Sequence, residues 1–424
     1  MKLNKLNIHL FASASIIAGS VVINFIVQII LARFFGLATL GSFALWRNNV
    51  QLVAGMSKLG LSNFSLREVP TILKNGKSGQ LSPFLIFVTL MALIGIFIFN
   101  IIFLMFFEPN NQGYNKTWMF VISCLAMTAI IILSALIRLF DRVIISILFD
   151  RLAILSLFLI FLLIGLLTQK PINFELWFLI SLLTSLFIIS IIFLFSYRDY
   201  NRNKTIIPSP PSIDMTVVRR KWVKSLTSFF ALDVGNIMSV RTTLLIAGLF
   251  LTSDQLGQYV FMLMLAGLVG LPLMGFNMVI APRISAASAN QDFDKAAREI
   301  NLIRSLSFKF GLIIAIVIFF GYGLLEWIAN QPNTVIPLIL LIMLIKALIN
   351  ASFGPVGTGL AMLGHQGISA KVLIILVIIK IPILVLACTQ FGILGIVIVE
   401  LLYVFTWNFI LALILQNKLK LSRN

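Results

Sequence analysis

Apolar runs of about twenty residues follow one another along almost the whole chain, separated by short clusters of Gly, Pro, Asn and charged residues. A helix rises ~1.5 Å per residue, so about twenty apolar residues cross the ~30 Å hydrocarbon layer of a bilayer. The pattern predicts twelve membrane helices, over 8–31, 40–62, 83–106, 117–138, 144–168, 174–197, 225–250, 256–281, 304–329, 335–362, 367–389 and 391–416. The breaks fall at turn residues such as Gly36, Pro109-Asn110, Pro171 and Gln331-Pro332. The second span is the most polar, with Arg47, Asn48, Asn49, Gln51 and Lys58, and is tenable only if that face meets a wet interior. Lys2 and Lys5 before an apolar stretch imitate a secretion signal, but 8–31 is too long for one and lacks a cleavage site. It reads as a retained first helix.

Composition turns this pattern into an exclusion. Hydrophobic residues make up 60% of the 424, charged residues only 11%, and the mean hydropathy is +1.07. A soluble domain carries about 25% charge, so a soluble enzyme, a disordered chain and a coiled coil are all excluded. The net charge of +18 comes from 32 Lys and Arg against 14 Asp and Glu, a balance that in a soluble domain would point to nucleic acid. Its distribution says otherwise. With the N-terminus inside, cytoplasmic segments collect nearly all the loop Lys and Arg, whereas the outer loops hold only Lys116 and Lys170. That asymmetry puts both termini in the cytoplasm of a multi-pass inner-membrane protein and leaves no call for nucleic acid. Cys124 and Cys388 lie inside apolar runs and read as small buried hydrophobes, without a disulfide framework.

The longest polar interval, 198–224, contains Pro208, Pro210, Pro211 and the run Arg219-Arg220-Lys221. It reads as a cytoplasmic linker between an N-terminal six-helix bundle (1–197) and a C-terminal one (225–424). The halves share an offset of 216 residues: Leu40-Gly41-Ser42-Phe43 opens the second span and Leu256-Gly257-Gln258-Tyr259 the eighth, and Arg67 meets Arg283. Six spans per half make the repeat parallel, with a cavity expected between the halves near mid-membrane.

This all-α, twelve-helix arrangement resembles the multidrug/oligosaccharidyl-lipid/polysaccharide (MOP) exporter superfamily, and within it the Wzx-type flippases of O-antigen and related lipid-linked oligosaccharides. The resemblance is carried by Ala32-Arg33-Phe34-Phe35-Gly36 through Phe43, and by Gly60-Leu61 through Leu66-Arg67-Glu68-Val69. In the second half it is carried by Leu256 to Tyr259, Ala281-Pro282-Arg283-Ile284-Ser285, Leu360-Ala361-Met362-Leu363-Gly364 and Gly392-Ile393-Leu394-Gly395. Lipid II flippases of the same superfamily have two further helices. The resemblance implies alternating access and, as cargo, an undecaprenyl-diphosphate-type lipid-linked oligosaccharide handed to the polysaccharide polymerase machinery.

Ionisable groups at membrane depth are costly unless paired or hydrated, so their positions are informative. At 100° per residue Arg47, Gln51, Ala54, Lys58 and Ser62 share one face of the second helix, and Asn24 and Gln28 form a similar stripe on the first. Arg47 to Lys58 would span about 16 Å of depth, a cationic ladder suited to a phosphorylated headgroup. Asp233, Asn236 and Arg241 lie on the seventh helix, Lys346 and Asn350 on the tenth. Arg47, Lys58, Arg241, Lys346, Gln51, Asn24, Gln28 and Asn236 are therefore the candidate substrate-binding residues. Asp233 and Glu400 are candidates for ion coupling, with Asp233 equally suited to a cap or an ion pair. Lys380 and Glu400 each stand ten residues from Gln390, at matching depth on adjacent helices, which favours a salt bridge. Arg33, opposite the polar stripe near the outer end of its helix, is expected to reach headgroups. Pro272, Pro355 and Pro382 should interrupt the eighth, tenth and eleventh spans.

No nucleotide-binding, hydrolase or metal-site motif is present, so neither cofactor nor catalytic residue is expected. The alternatives are a MATE-like drug or cation antiporter, which needs an acidic interior, and a membrane polysaccharide polymerase or ligase, which needs a larger outer domain than these short loops supply.

Overall fold

The computed structural model describes residues 2–62, 64–65, 81–107, 114–138, 142–168, 173–202 and 215–421. Arg67 of the repeat and the centre of the linker, 203–214, fall outside them. Among the described residues the regular elements are all helical: α1 (Lys2–Ser57), α2 (Leu81–Phe107), α3 (Tyr114–Arg138), α4 (Val143–Ile147), α5 (Ile154–Thr168), α6 (Phe174–Arg202), α7 (Met215–Phe250), α8 (Ser253–Gly267), α9 (Leu271–Ala289), α10 (Phe293–Ala329), α11 (Pro337–Phe353), α12 (Val356–Met362) and α13 (Gln366–Leu421).

Nine helices among the described residues are long and apolar enough to cross a bilayer, ten when α4 and α5, bent by 49° at a wide π-helical turn, count as one span. Two are of double length, with apolar stretches of 43 residues in α1 and 53 in α13. At ~1.5 Å per residue these measure about 65 and 80 Å, more than twice the hydrocarbon thickness. Each contains one non-helical glycine, Gly36 (φ 82°) and Gly392 (φ 56°). Only glycine enters that region of backbone space without strain. Divided there, the two helices contribute two segments each, which is how twelve expected spans relate to ten observed ones. The second span ends sooner than its hydropathy implies: the helix stops at Ser57, and Leu59 (φ 49°) and Gly60 (φ 76°) turn the chain. Breaks lie immediately before Pro272, at a 3₁₀ turn, and at Gly354-Pro355, but Pro382 sits inside continuous helix.

By contacts the chain forms two compact units, 1–23 with 46–241 and 24–45 with 242–424. These are not the two sequence halves: 24–45 packs with the later helices, and 225–241 with the earlier ones. In the first unit an aromatic cluster ties three helices and the turn after α1 together. Phe64 stacks on Phe84 at 5.5 Å, and Trp222 meets Phe84 edge-on at 5.2 Å. Such pairs add ~0.5–1.5 kcal/mol each beyond the area they bury. The second unit has its own apolar core around Leu273, Ile284, Ile300, Leu360 and Leu411.

The sequence repeat has a direct structural counterpart in the second unit. A Cβ built on Gly41 would lie 2.4 Å from the Ser253 carbonyl oxygen, and one on Gly257 would collide with the Leu37 carbonyl oxygen. Residues 37 and 253, like 41 and 257, differ by the repeat offset, so the contact is reciprocal, as at a two-fold interface. Gly41→Ala should therefore destabilise the protein by about 1–3 kcal/mol, because backbone, not a movable side chain, occupies the space. Gly275→Ala, where nothing lies within 4 Å, should be neutral or slightly stabilising. Thermal unfolding in detergent checks this, and equal behaviour of the two variants would contradict the packing.

Arg33, which is exposed, anchors the end of another helix. Its Nη1 donates to the Ile328 carbonyl at 2.7 Å, while Gln331 Nε2 donates back to the Ala32 carbonyl at 2.8 Å. The last turn of α10 presents carbonyls without helical partners and a partial negative charge, and a guanidinium satisfies both.

Candidate functional site

In the first unit the end of α1 runs antiparallel to α7. Asn48 Nδ2 donates to the Arg241 carbonyl at 3.0 Å, a Cβ on Gly55 would meet Ile237 at 2.8 Å, and one on Gly60 would lie 2.6 Å from the Phe230 amide nitrogen. Small residues at 55 and 60 thus let two helices approach along about 18 Å, and the candidate residues of both come together on one seam. Its two ends differ in charge. At one, Lys58 Nζ lies 2.9 Å from Asp233 Oδ2, with the carboxylate buried. At the other, Arg47 and Arg241 lie near enough for their like charges to interact.

The expected ladder is therefore corrected at Lys58, whose charge is neutralised by a carboxylate eight residues before Arg241. Hydropathy could not reveal this pairing, because it depends on the turn at Leu59-Gly60 folding Lys58 back towards α7. The same pairing engages Asp233. Between the two ends, Gln51 keeps a buried carbonyl oxygen without a hydrogen-bond partner, as does neighbouring Asn49. Asn236 is exposed. Trp46, one residue from Arg47, meets Phe178 edge-on at 5.7 Å, fixing the start of the seam against α6.

In the second unit the charged residues converge on one carboxylate. Glu400 Oε1 lies 2.5 Å from Lys380 Nζ and also accepts from the Thr243 hydroxyl, while Oε2 faces Lys346 Nζ at 3.7 Å. The bridge expected between Lys380 and Glu400 is present. Lys380 is almost completely buried and its ammonium lies 4.5 Å from the centre of the Tyr403 ring, a cation–π contact. Tyr259, also buried, is close enough to feel the Glu400 charge. The cluster carries two ammonium groups for one carboxylate, an excess of one positive charge. Lys346, the more loosely held, retains donors to spare.

One turn further along α11, Asn350 accepts from Asn408 Nδ2 at 3.0 Å. Tyr403 and Asn408 escaped the sequence reading, and Tyr259 entered it only as part of the repeat. Asn408 stands eight residues, about two turns, from Glu400 on one face of α13, a polar spacing that could have flagged it. Asn24 and Gln28 belong to this second unit, and Gln28 keeps a buried side-chain oxygen without a partner. Cys124 and Cys388 are free and buried.

No family model and no curated protein matches the chain by sequence. Solved structures do. A multidrug-resistance MATE family transporter of the MOP superfamily, in its inward-facing conformation, superposes with a TM-score of 0.58 at 12% identity, over 98% of this chain and 99% of its own. A MOP-superfamily transporter from Pyrococcus furiosus, described as having a binding pocket of reversed polarity that suggests a different function, gives 0.63 at 11% identity, over 98% and 96%. The Vibrio cholerae MATE transporter in its bent form gives 0.60 at 13%, over 99% and 98%. At such identities the likeness is one of fold, and this chain has the fold of MATE transporters.

Proposed function

We propose that the chain is a membrane transporter for an anionic amphiphile, a flippase that moves an isoprenoid-diphosphate-linked oligosaccharide from the cytoplasmic to the outer leaflet by alternating access. The observation that carries this reading is the sign of the interior charge. In the first unit Arg47, Lys58 and Arg241 share their helices with one acid, Asp233, and in the second Lys346 and Lys380 share theirs with one, Glu400; both acids already hold lysines. A diphosphate entering a low-dielectric space needs cations to offset its lost hydration. The Arg47–Arg241 end of the first unit and Lys346 in the second offer them. Gln51, Gln28, Asn24 and Asn236 supply amides of the kind that bind sugar hydroxyls.

A drug or cation antiporter is the second reading, favoured by the multidrug transporters among the structures of like fold. A cationic drug requires carboxylates with charge to spare, and both interior acids are engaged. The Pyrococcus protein of like fold is described as having a reversed pocket polarity that suggests a different function. The outer loops, short in sequence, give a polymerase or ligase little room for catalytic groups.

The test is leaflet-resolved tracking in vesicles holding only this protein. Protein-dependent exposure of a lipid-linked oligosaccharide on the far leaflet, without uptake of a cationic dye, is the expected outcome. Dye uptake without oligosaccharide movement would replace the proposal with the antiporter.

A further inference from the structure

Arg304, which the proposed transport route does not use, is held in an unusual way. It lies on α10 at the end of the second unit that the charge asymmetry assigns to the cytoplasm. Its Nε donates to the Ser352 carbonyl at 2.6 Å, and its side chain passes over Gly354, where a Cβ would come within 2.8 Å of the Arg304 Cβ. Gly354 has φ 71°, so this position suits glycine on two counts. No carboxylate among the described residues pairs with Arg304, and its two terminal nitrogens remain available as donors.

Two hollows meet at this residue. One, of about 310 Å³, is bounded by Asn301, Ser305, Phe308 and Ser352, polar groups beside a mainly apolar wall. The other, of about 300 Å³, is mainly apolar, bounded by Phe353, Phe409 and Leu413 on α11 and α13. Both are open, and Phe409 and Leu413 are exposed. A guanidinium held by its Nε thus stands where two hollows meet, each with polar groups beside apolar walls.

We infer that this is a binding site for an anionic glycerophospholipid of the cytoplasmic leaflet, its phosphate held by Arg304 and Asn301 and part of an acyl chain lying against Phe409 and Leu413. Guanidinium–phosphate geometry supplies the headgroup specificity. The apolar walls of both hollows select a lipid over free phosphate, and the net positive field of this end selects an anionic lipid over a zwitterionic one. The site is independent of the proposed cargo route.

The experiment uses the full-length protein in detergent, with native mass spectrometry and thermal shift against phosphatidylglycerol, phosphatidylcholine, inorganic phosphate and undecaprenyl phosphate. Phosphatidylglycerol should be retained and should stabilise the protein, whereas phosphatidylcholine and inorganic phosphate should not. Arg304→Gln should weaken phosphatidylglycerol binding about tenfold, and Lys309→Gln, which removes a nearby exposed charge of the same helix, should leave it unchanged. Equal loss from both variants would reduce the effect to general surface charge and overturn the site. Equal retention of phosphatidylcholine, or preference for undecaprenyl phosphate, would overturn the assigned occupant.

Discussion

Arg47→Ala and Arg241→Ala are each expected to lower translocation of a lipid-linked oligosaccharide by about thirtyfold or more, with the protein present in the membrane in normal amount. The figure follows from the ~2–5 kcal/mol lost when a desolvated charge pair is deprived of one partner, since 1.4 kcal/mol is a factor of ten. The two arginines stand at the charged end of the α1–α7 seam, and removing one relieves the repulsion between them in the empty protein. Thermal unfolding of the purified variants separates loss of function from loss of fold. Arg→Lys at either position keeps the charge but not the two-pronged geometry and should retain part of the activity. Cells dependent on the protein should lose surface polysaccharide in parallel. Normal polysaccharide in the alanine variants would remove the basis for a phosphate-bearing cargo.

Glu400→Ala should have the largest effect on stability, about 3–5 kcal/mol, because it leaves two lysines at membrane depth without their shared counter-ion. Lys380 bears most of this cost, being almost fully buried with Tyr403 and the carboxylate as its partners. A second change, Lys380→Met, should recover much of the loss, since an apolar side chain of similar length fills the space without a charge. Thr243→Ala removes one neutral donor to Glu400 and should cost only about 1 kcal/mol. Thermal unfolding of the four purified proteins in one detergent provides the double-mutant comparison. Losses that simply add in Glu400→Ala with Lys380→Met would show that the pair is not coupled. Lys346 makes this a cluster rather than a pair, so Lys346→Met should be tolerated better than either change at its centre.

How much of this was legible in the sequence depended on the range of the contacts. The apolar segments and the charge asymmetry were plain, because lipid imposes a continuous requirement on every span. Lys380 and Glu400 could be matched because they flank one hairpin at equal distances, so depth alone brought them together. Gly41 and Gly257 could be matched through the repeat, although nothing in their spacing said that the two would touch. Lys58 and Asp233 could not be foreseen as partners. Their meeting rests on a left-handed turn at Leu59-Gly60 and on the tight approach of Gly60 to Phe230, neither of which leaves a periodic signal. The anchoring of Arg33 on α10 was hidden for the same reason, since it joins residues almost three hundred positions apart. The contact units were less legible still, because their division points fall inside the helices α1 and α7 and not at loops.

That division bears on how the protein is made. Segment 24–45 leaves the ribosome early, yet the helices it packs against begin at Thr242, about two hundred residues later. At 5–20 residues per second the interval is roughly 10–40 s. During that time its two close-packing surfaces, the small-residue face at Gly41 and the Leu45 side chain that seats against Gly248, have only lipid or the insertion machinery for company. Biogenesis must therefore shelter an early hairpin until late synthesis supplies its mates, and a gene severed at the linker would yield a C-terminal fragment missing a piece of its own core.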